Sequence, residues 1–434
     1  MKLSKFNIYR ECDGEIFIYN TLSGGILHLN QEYSVKFNKI RRDLEYPIEF
    51  EDLIKNLEKG QMLIPDSLDE SEAVIMHSNI QRYSSSVYTL TIAPTMKCNF
   101  VCPYCYEANK IYPQMNKEII DKIKELFRKA KNNHKYLSVA WYGGEPLLAF
   151  DIIEELSQEA IQVFGEDYCA SIVTNGYLLN DKIIKKLESL KIMKMQITLD
   201  GPPEIHNKRR KLPNGEDTFF VILNSIKRVI ELSPNTEVVI RVNTDKENIG
   251  YVDEIIGYLE QFGIEKSVGF YLAPVDNINE TCNGSECFNN TEFAEEQLNF
   301  IERNLKKGYN FLHLPQANLG VCGAVCNDNY VIDSCGDIYN CWDDISRKEE
   351  KIGNIMEEHI PLIKNLTKWL NYDIREDKEC IDCSYLPVCM GGSPNYRMKN
   401  KGKKCIPIKE NIDEVIRVLY EISKRKVMSS DSHS

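Results

Sequence analysis

The sequence predicts an α/β protein: a partial (β/α)6 barrel, preceded by a winged-helix-like α+β module and followed by a cysteine-rich C-terminal domain. Three observations carry this. From Val87 onward, short β-branched runs alternate six times with stretches of helical apolar spacing. Directly after the first of these strands, Cys98, Cys102 and Cys105 fall within eight residues. Beyond Leu319 the alternation stops and the chain becomes dense in cysteine. A length of 434 residues suits two or three domains. Their expected bounds are 1–85, 86–310 and 311–425, with a polar, disordered tail at 426–434.

Composition narrows the class. Hydrophobic content of 43% and charged content of 27% are those of a globular protein. No apolar run is long enough to span a bilayer, and Met1-Lys2-Leu3-Ser4-Lys5 has no apolar segment behind it, so neither membrane insertion nor secretion is expected. Fifteen cysteines in such a chain point to a reducing, cytoplasmic setting and to metal rather than disulfides. A formal net charge of −12 disfavours nucleic acid as a partner.

Phe6–Tyr9, Glu15–Tyr19 and Gly25–Leu29 read as strands separated by the turns Asp13-Gly14 and Ser23-Gly24-Gly25. Helical spacing follows at Gln31–Ile40 and Phe50–Leu57, and Met62–Pro65 reads as a closing strand. The layout is that of a winged-helix module. Residues 1–80 carry nine Lys and Arg against fourteen Asp and Glu, a net of −5, the wrong sign for phosphate contacts.

The barrel strands are expected at Val87–Ala93, Tyr136–Trp141, Cys169–Val173, Met195–Leu199, Val238–Val242 and Val268–Leu272. Six β/α units imply a parallel sheet with right-handed crossovers, curved but short of the eight units of a closed barrel. Such folds carry their chemistry at the C-terminal ends of strands. Tyr142-Gly143-Gly144-Glu145-Pro146 follows the second strand, Thr174-Asn175-Gly176 the third, and Thr198-Leu199-Asp200-Gly201 the fourth, while Arg241 lies on the fifth. Gly143 and Gly144 let backbone approach a ligand closely, and Glu145 offers a carboxylate to an ammonium. Singly these turns are commonplace; at consecutive strand ends behind a cysteine loop they define one site. Cys169 reads as a core thiol.

A loop as short as Cys98–Cys105 can wrap one corner of an iron–sulfur cube, each thiolate taking one iron and the fourth iron left without a protein ligand. A structural zinc site, the competing reading beside a redox dithiol, would close on four ligands. The spacing Cys98-x3-Cys102-x2-Cys105, with Tyr104 before the last cysteine, resembles the signature of the radical S-adenosylmethionine (SAM) superfamily. That resemblance implies a [4Fe–4S] cluster on Cys98, Cys102 and Cys105, SAM chelated at its open iron, and a 5′-deoxyadenosyl radical from one-electron cleavage. It assigns the Gly143-Gly144-Glu145 segment to the SAM amino group, Thr174 and Asn175 to a turn facing the cofactor, Thr198 and Asp200 to the ribose, and Arg241 to the carboxylate. Thr198 stands where the family usually has serine, keeping the hydroxyl.

In the C-terminal segment, the gap from Cys326 to Cys341 with Gly336 between resembles the start of a SPASM domain, which holds two auxiliary [4Fe–4S] clusters, three clusters in all. The resemblance implies that Cys380, Cys383, Cys389 and Cys405 saturate one auxiliary cluster, while Cys322, Cys326 and Cys341 hold the other. The pattern departs at Ser393, where the family has a fourth thiolate; a serine hydroxyl stays protonated at neutral pH. Either Cys335 supplies the missing ligand or one iron stays open. The open iron is the preferred reading, because Cys335 abuts Gly336 and lies one place inside the usual gap. Zinc remains the alternative for the Cys-x2-Cys pair. Cys282 and Cys287 read as unliganded surface thiols.

The N-terminal layout resembles the recognition element by which maturases of ribosomally made peptides bind a leader, the leader adding a strand to the sheet edge. Together the resemblances imply a precursor-peptide substrate, a flavodoxin- or ferredoxin-type electron donor, and a thioether crosslink such as sactipeptide and ranthipeptide maturases make. A substrate thiolate on the open iron would favour that chemistry. The competing functions are carbon–carbon crosslinking, epimerisation, a sulfatase-maturase-like oxidation of Cys or Ser, and a non-catalytic zinc scaffold.

Overall fold

The computed structural model describes residues 1–105, 113–275, 286–319, 322–357, 364–399 and 402–431. They form two compact units, one of Met1–Tyr83, Asn289–Cys322 and Tyr372–Ser434, the other of Ser84–Phe288 and Gly323–Asn371. This division cuts across the three consecutive domains expected from sequence.

The first unit begins with β1 (Lys2–Leu3) and an antiparallel meander of β2 (Asn7–Cys12), β3 (Glu15–Asn20) and β4 (Ile26–Leu29). Asn30 caps the helix Gln31–Asp43 by accepting the Tyr33 amide, an oxygen supplied to a helix end that lacks partners. After the helix Glu51–Lys59, β5 (Leu63–Ile64) pairs with β1 and not with the meander. The helix Glu70–Arg82, capped by Asp69, completes the module. Its core buries Ile16, Ile18, Phe37, Ile40, Leu53 and Leu57.

A second cluster in this unit joins Phe6, Val74 and Ile75 to Ile374, Leu386 and Met390. The N-terminal module and the late cysteine segment therefore share a core. A module of this size buries little surface alone, and the shared cluster covers apolar groups that neither segment could bury by itself. The helix Ile412–Asp431 continues past residue 426, where sequence suggests a disordered tail; Val415, Ile416, Val418 and Tyr420 are buried along it.

The second unit holds β6 (Val87–Ile92), β7 (Tyr136–Trp141), β8 (Tyr168–Thr174), β9 (Ile192–Thr198), β10 (Glu237–Thr244) and β11 (Val268–Pro274), parallel and in sequential order. Alternation decides the faces: Leu137, Val139 and Trp141 are buried on one side of β7, as are Val238, Ile240 and Val242 on β10. Beyond β6 the sheet continues. β12 (Asn329–Ile332) pairs parallel to β6 from Asn329↔Thr89 to Ile332↔Ile92, followed by antiparallel β13 (Asp337–Tyr339) and β14 (Gly353–Asn354). The first part of the cysteine-rich segment is thus an extension of the barrel sheet.

Two thiols differ from expectation. Cys169, second residue of β8, is exposed rather than in the core, because it falls on the outward phase of the strand. Cys287 is disulfide-bonded and not a free thiol; Cys282 lies outside the described residues. Among the described residues no helix is long and apolar enough to cross a membrane.

Candidate active site

The cysteine loop leaves the C-terminal end of β6 and is locked to the ends of its neighbours. Cys98 is exposed, Cys102 and Cys105 half-buried. The Phe100 amide donates to Cys98 Sγ at 3.4 Å, and the Cys105 amide to the Cys102 carbonyl at 3.2 Å. The glycines after β7 are used by the chain itself. A Cβ on Gly144 would lie 2.4 Å from the Lys97 carbonyl oxygen, and one on Gly143 (φ +111°) 2.4 Å from that of Thr95. The Gly144 and Glu145 amides donate to the Thr95 and Lys97 carbonyls at 3.2 and 2.9 Å. The base of the cysteine loop therefore packs directly against both glycines.

Glu145 is fully buried. Its carboxylate accepts from the Leu147 amide at 3.0 Å, the Thr174 hydroxyl at 2.7 Å and the Asn175 amide at 2.7 Å. Burial raises its pKa, and these three donors oppose the rise. The side chain expected to meet an ammonium thus ties the end of β8 to the end of β7. Asn175 carries the linkage onward, donating from Nδ2 to Asn99 Oδ1 at 2.7 Å.

Asp200, at the end of β9, is a second hub and is fully buried. Its carboxylate accepts from the Tyr104 hydroxyl and from the Asn243 amide at 3.2 Å. Arg210 Nη1 donates to the same Tyr104 oxygen at 2.8 Å, and Arg209 lies over the Tyr104 ring at 4.9 Å while pairing with Asp245 at 2.8 Å. Burial raises the Asp200 pKa, with Arg210 and Arg209 pulling it down. The Asp200 amide donates to His206 Nδ1 at 3.2 Å. Burial, then the two arginines, holds His206 well below the usual imidazole range, so the ring is neutral with its proton on Nε2. Arg241, opposite Thr198 in the ladder, donates from Nε to Asn243 Oδ1 at 2.8 Å. Arg209, Arg210, Asn243 and His206 were missed from sequence; a basic pair closing a helix, as in Pro203–Arg209, reads as an ordinary helix end.

This pocket of groups fits a cluster and a polar cofactor. Three thiols occupy one loop, and beside them Asn99 Nδ2 and Arg210 Nε are buried donors without a hydrogen-bond partner. Among the described residues no three Cys, His, Asp or Glu side chains close on a point suited to one metal ion; ligands of a cube are spread over several irons.

In the first unit, Cys380, Cys383, Cys389 and Cys405 converge on one cavity, shared with Arg397, Lys403 and Lys409. Gly392 (φ +78°) makes this possible: a Cβ there would lie 2.1 Å from the Lys404 carbonyl, so only glycine lets the chain before Cys405 return against the turn after Cys389. Ser393 is engaged elsewhere, its Oγ accepting the Tyr396 amide at 3.3 Å as the N-cap of the helix Pro394–Met398. In the second unit, Cys335 sits in the turn joining β12 to β13, where its amide donates to Asp333 at 2.9 Å. Cys326 precedes β12 and Cys341 follows β13, at the open end of that hairpin. The length of β13, roughly 10 Å of extended chain, separates Cys335 from Cys341. Cys322 closes a segment of the first unit.

Residues 92–259 match the radical SAM superfamily. The chain is 33% identical over 195 residues to an uncharacterized protein of Methanocaldococcus jannaschii, covering 42% of this chain and 62% of that one, less than two thirds of its length. It is 26% identical to the cysteine-type anaerobic sulfatase-maturating enzyme of Clostridium novyi, over 70% of this chain and 86% of the relative. To the radical SAM cyclopropyl synthase TigE of Paramaledivibacter caminithermalis it is 22% identical, over 90% and 88%. Among solved structures it resembles native anSMEcpe with bound AdoMet and Cp18Cys peptide, with TM-score 0.59, 20% identity and 78% and 99% of the two chains covered. Streptococcus suis SuiB bound to precursor peptide SuiA gives TM-score 0.52, 16% identity and coverage of 94% and 97%. Residues 92–259 are thus a radical SAM domain, and the chain shares the fold of anSMEcpe and SuiB.

Proposed function

We propose that this protein is a radical SAM enzyme that modifies a ribosomally made precursor peptide by joining cysteine sulfur to carbon in thioether crosslinks. The observation that carries the enzyme reading is the interlock of the three-cysteine loop with the ends of β7, β8 and β9 through Glu145, Asn175 and Tyr104. Cys98, Cys102 and Cys105 would hold a [4Fe–4S] cluster, with SAM at its open iron. Bound together, the two supply a 5′-deoxyadenosyl radical able to take hydrogen from an unactivated carbon.

The chain's own residues position and enclose. Glu145 fixes the strand ends relative to the loop, so that small displacements do not separate reacting atoms. Tyr104, Asp200 and Arg210 form one polar wall, with Thr198 and Arg241 adjacent on β9 and β10. Cys380, Cys383, Cys389 and Cys405 would hold an auxiliary cluster, and a second set including Cys326 and Cys341 would lack one thiolate. Support for that lack comes from Ser393, whose oxygen already caps a helix, and from Cys335, which lies across β13 from Cys341. A substrate thiolate could take the vacant coordination position and so be held in deprotonated form. Residues 1–83 would bind the leader, since the meander offers an edge strand to an extended peptide. A flavodoxin- or ferredoxin-type protein would supply the electron.

The test is anaerobic incubation of iron-loaded protein with SAM, reductant and a cysteine-containing precursor peptide, read by mass spectrometry. Loss of two hydrogens per vanished thiol, with two residues joined on fragmentation, is expected. The resemblance to the C. novyi sulfatase-maturating enzyme favours a second reading, oxidation of a single Cys or Ser; a modified residue with no join between residues would select it. Absence of deoxyadenosine would reject both.

A further inference from the structure

We infer that Arg397 sets the reduction potential of the cluster held by Cys380, Cys383, Cys389 and Cys405, making that cluster easier to reduce. The inference rests on the cluster assignment proposed above and concerns what this chain adds to it.

Arg397 is fixed at three points. Its Nε donates to the Gly391 carbonyl at 2.6 Å, its Nη1 to Asp377 Oδ2 at 2.8 Å, and its Nη2 to Cys380 Sγ at 2.9 Å. A planar fork anchored in this way holds its third N–H on the sulfur with little freedom to turn away. Asp377 is itself held by Lys403, whose Nζ donates to Oδ1 at 3.0 Å, and Asp377 also accepts the Cys380 amide at 3.3 Å. Arg397 is therefore oriented by a carboxylate that is itself fixed at two points. Lys403 and Lys409 line the same cavity, with Glu379 the one carboxylate on its wall.

The energetic sign follows from charge. Taking up one electron adds one negative charge to the cluster and its thiolates, with no bond made or broken. An N–H bond to a ligating sulfur and a fixed positive charge both stabilise the reduced state over the oxidised one, and so raise the potential. The half-buried position of Arg397, with 15% of its side chain exposed, limits screening by water. The auxiliary site is thus built as an electron acceptor.

The experiment is an EPR-monitored redox titration of the full, iron-loaded chain, with dithionite or titanium(III) citrate as electron source. The component belonging to this cluster is the one whose signal changes in Cys383→Ser. In Arg397→Met that component should move to a more negative midpoint while iron and sulfide content stay at the wild-type level, and Arg397→Lys should fall between, since it keeps charge but loses the anchored fork. If Arg397→Met fails to hold iron, the Lys variant alone decides by the same shift. An unchanged midpoint with the cluster intact overturns the inference. A wild-type chain with no component sensitive to Cys383→Ser overturns the cluster assignment instead, and the two failures are told apart by iron and sulfide analysis.

Discussion

Tyr104 donates its hydroxyl hydrogen to Oδ2 of Asp200, so that a residue inside the cysteine loop is bonded to the end of the fourth barrel strand. Arg210 in turn donates to the Tyr104 hydroxyl oxygen. Tyr104→Phe removes the shared atom and leaves a buried carboxylate and a buried guanidinium each short of one partner. A loss of about 1–3 kcal/mol is expected, measured by urea unfolding under anaerobic conditions, together with slower SAM cleavage. Stability equal to wild type would show that the contact carries nothing.

Gly144→Ala tests whether the glycine pair serves the cofactor or the loop. The added Cβ would meet the Lys97 and Met96 carbonyl oxygens at 2.4 and 2.5 Å, which are backbone atoms and cannot swing aside. Iron loading at Cys98, Cys102 and Cys105 should therefore fall even without SAM, read as the iron-to-protein ratio after reconstitution. Full loading with only SAM affinity reduced would return the glycines to a ligand-contact role.

Asp333 supplies a pH signature. It is fully buried at the turn between β12 and β13, accepting from the Cys335 and Asp337 amides and from the Tyr339 hydroxyl. Burial pushes its pKa up to about 6, against a donated pull from those amides. The folded value lies above the unfolded one of about 3.9. Its contribution is therefore complete below about pH 4 and is lost as pH rises through about 6, up to roughly 3 kcal/mol in size. Asp333→Asn keeps an oxygen for the two amides and removes the charge. It should match wild type near pH 4 and be the more stable protein at pH 8 in paired thermal melts; parallel pH curves would refute the assignment.

The hairpin separates Cys341, which the resemblance makes a cluster ligand, from Cys335, the alternative to an open iron. Cys341→Ala should lower iron by about four per chain, from the twelve or so that three cubes carry, whereas Cys335→Ala should leave it unchanged. Equal losses in the two variants would bring Cys335 back as a ligand.

The six barrel strands were legible because each buries alternate residues between helices of clear periodicity, a local signal that tertiary context reinforces. The grouping of Cys380, Cys383, Cys389 and Cys405, which line one cavity, was legible through the resemblance of their segment to a SPASM domain. What could not be read was non-local. Nothing in Asn329–Ile332 announces that it will pair with Val87–Ile92, some 240 residues earlier in the chain. Nothing in Phe6 or Val74 announces Leu386 as a core neighbour. Glu145 and the glycines before it were found, but their letters do not announce the bonds they make to the chain itself. Arg397 is one basic residue among the 53 of the chain, and only its three anchored bonds distinguish it.

The pairing of β12 with β6 also bears on where the molecule can breathe. β6 has a backbone ladder on both sides, while β11 closes the sheet with a single one. A sheet frays from its borders, so β11 amides should exchange hydrogen for deuterium through small local openings, and β6 amides only through openings that approach complete unfolding. The cysteine loop is thus suspended from a strand that thermal motion rarely loosens.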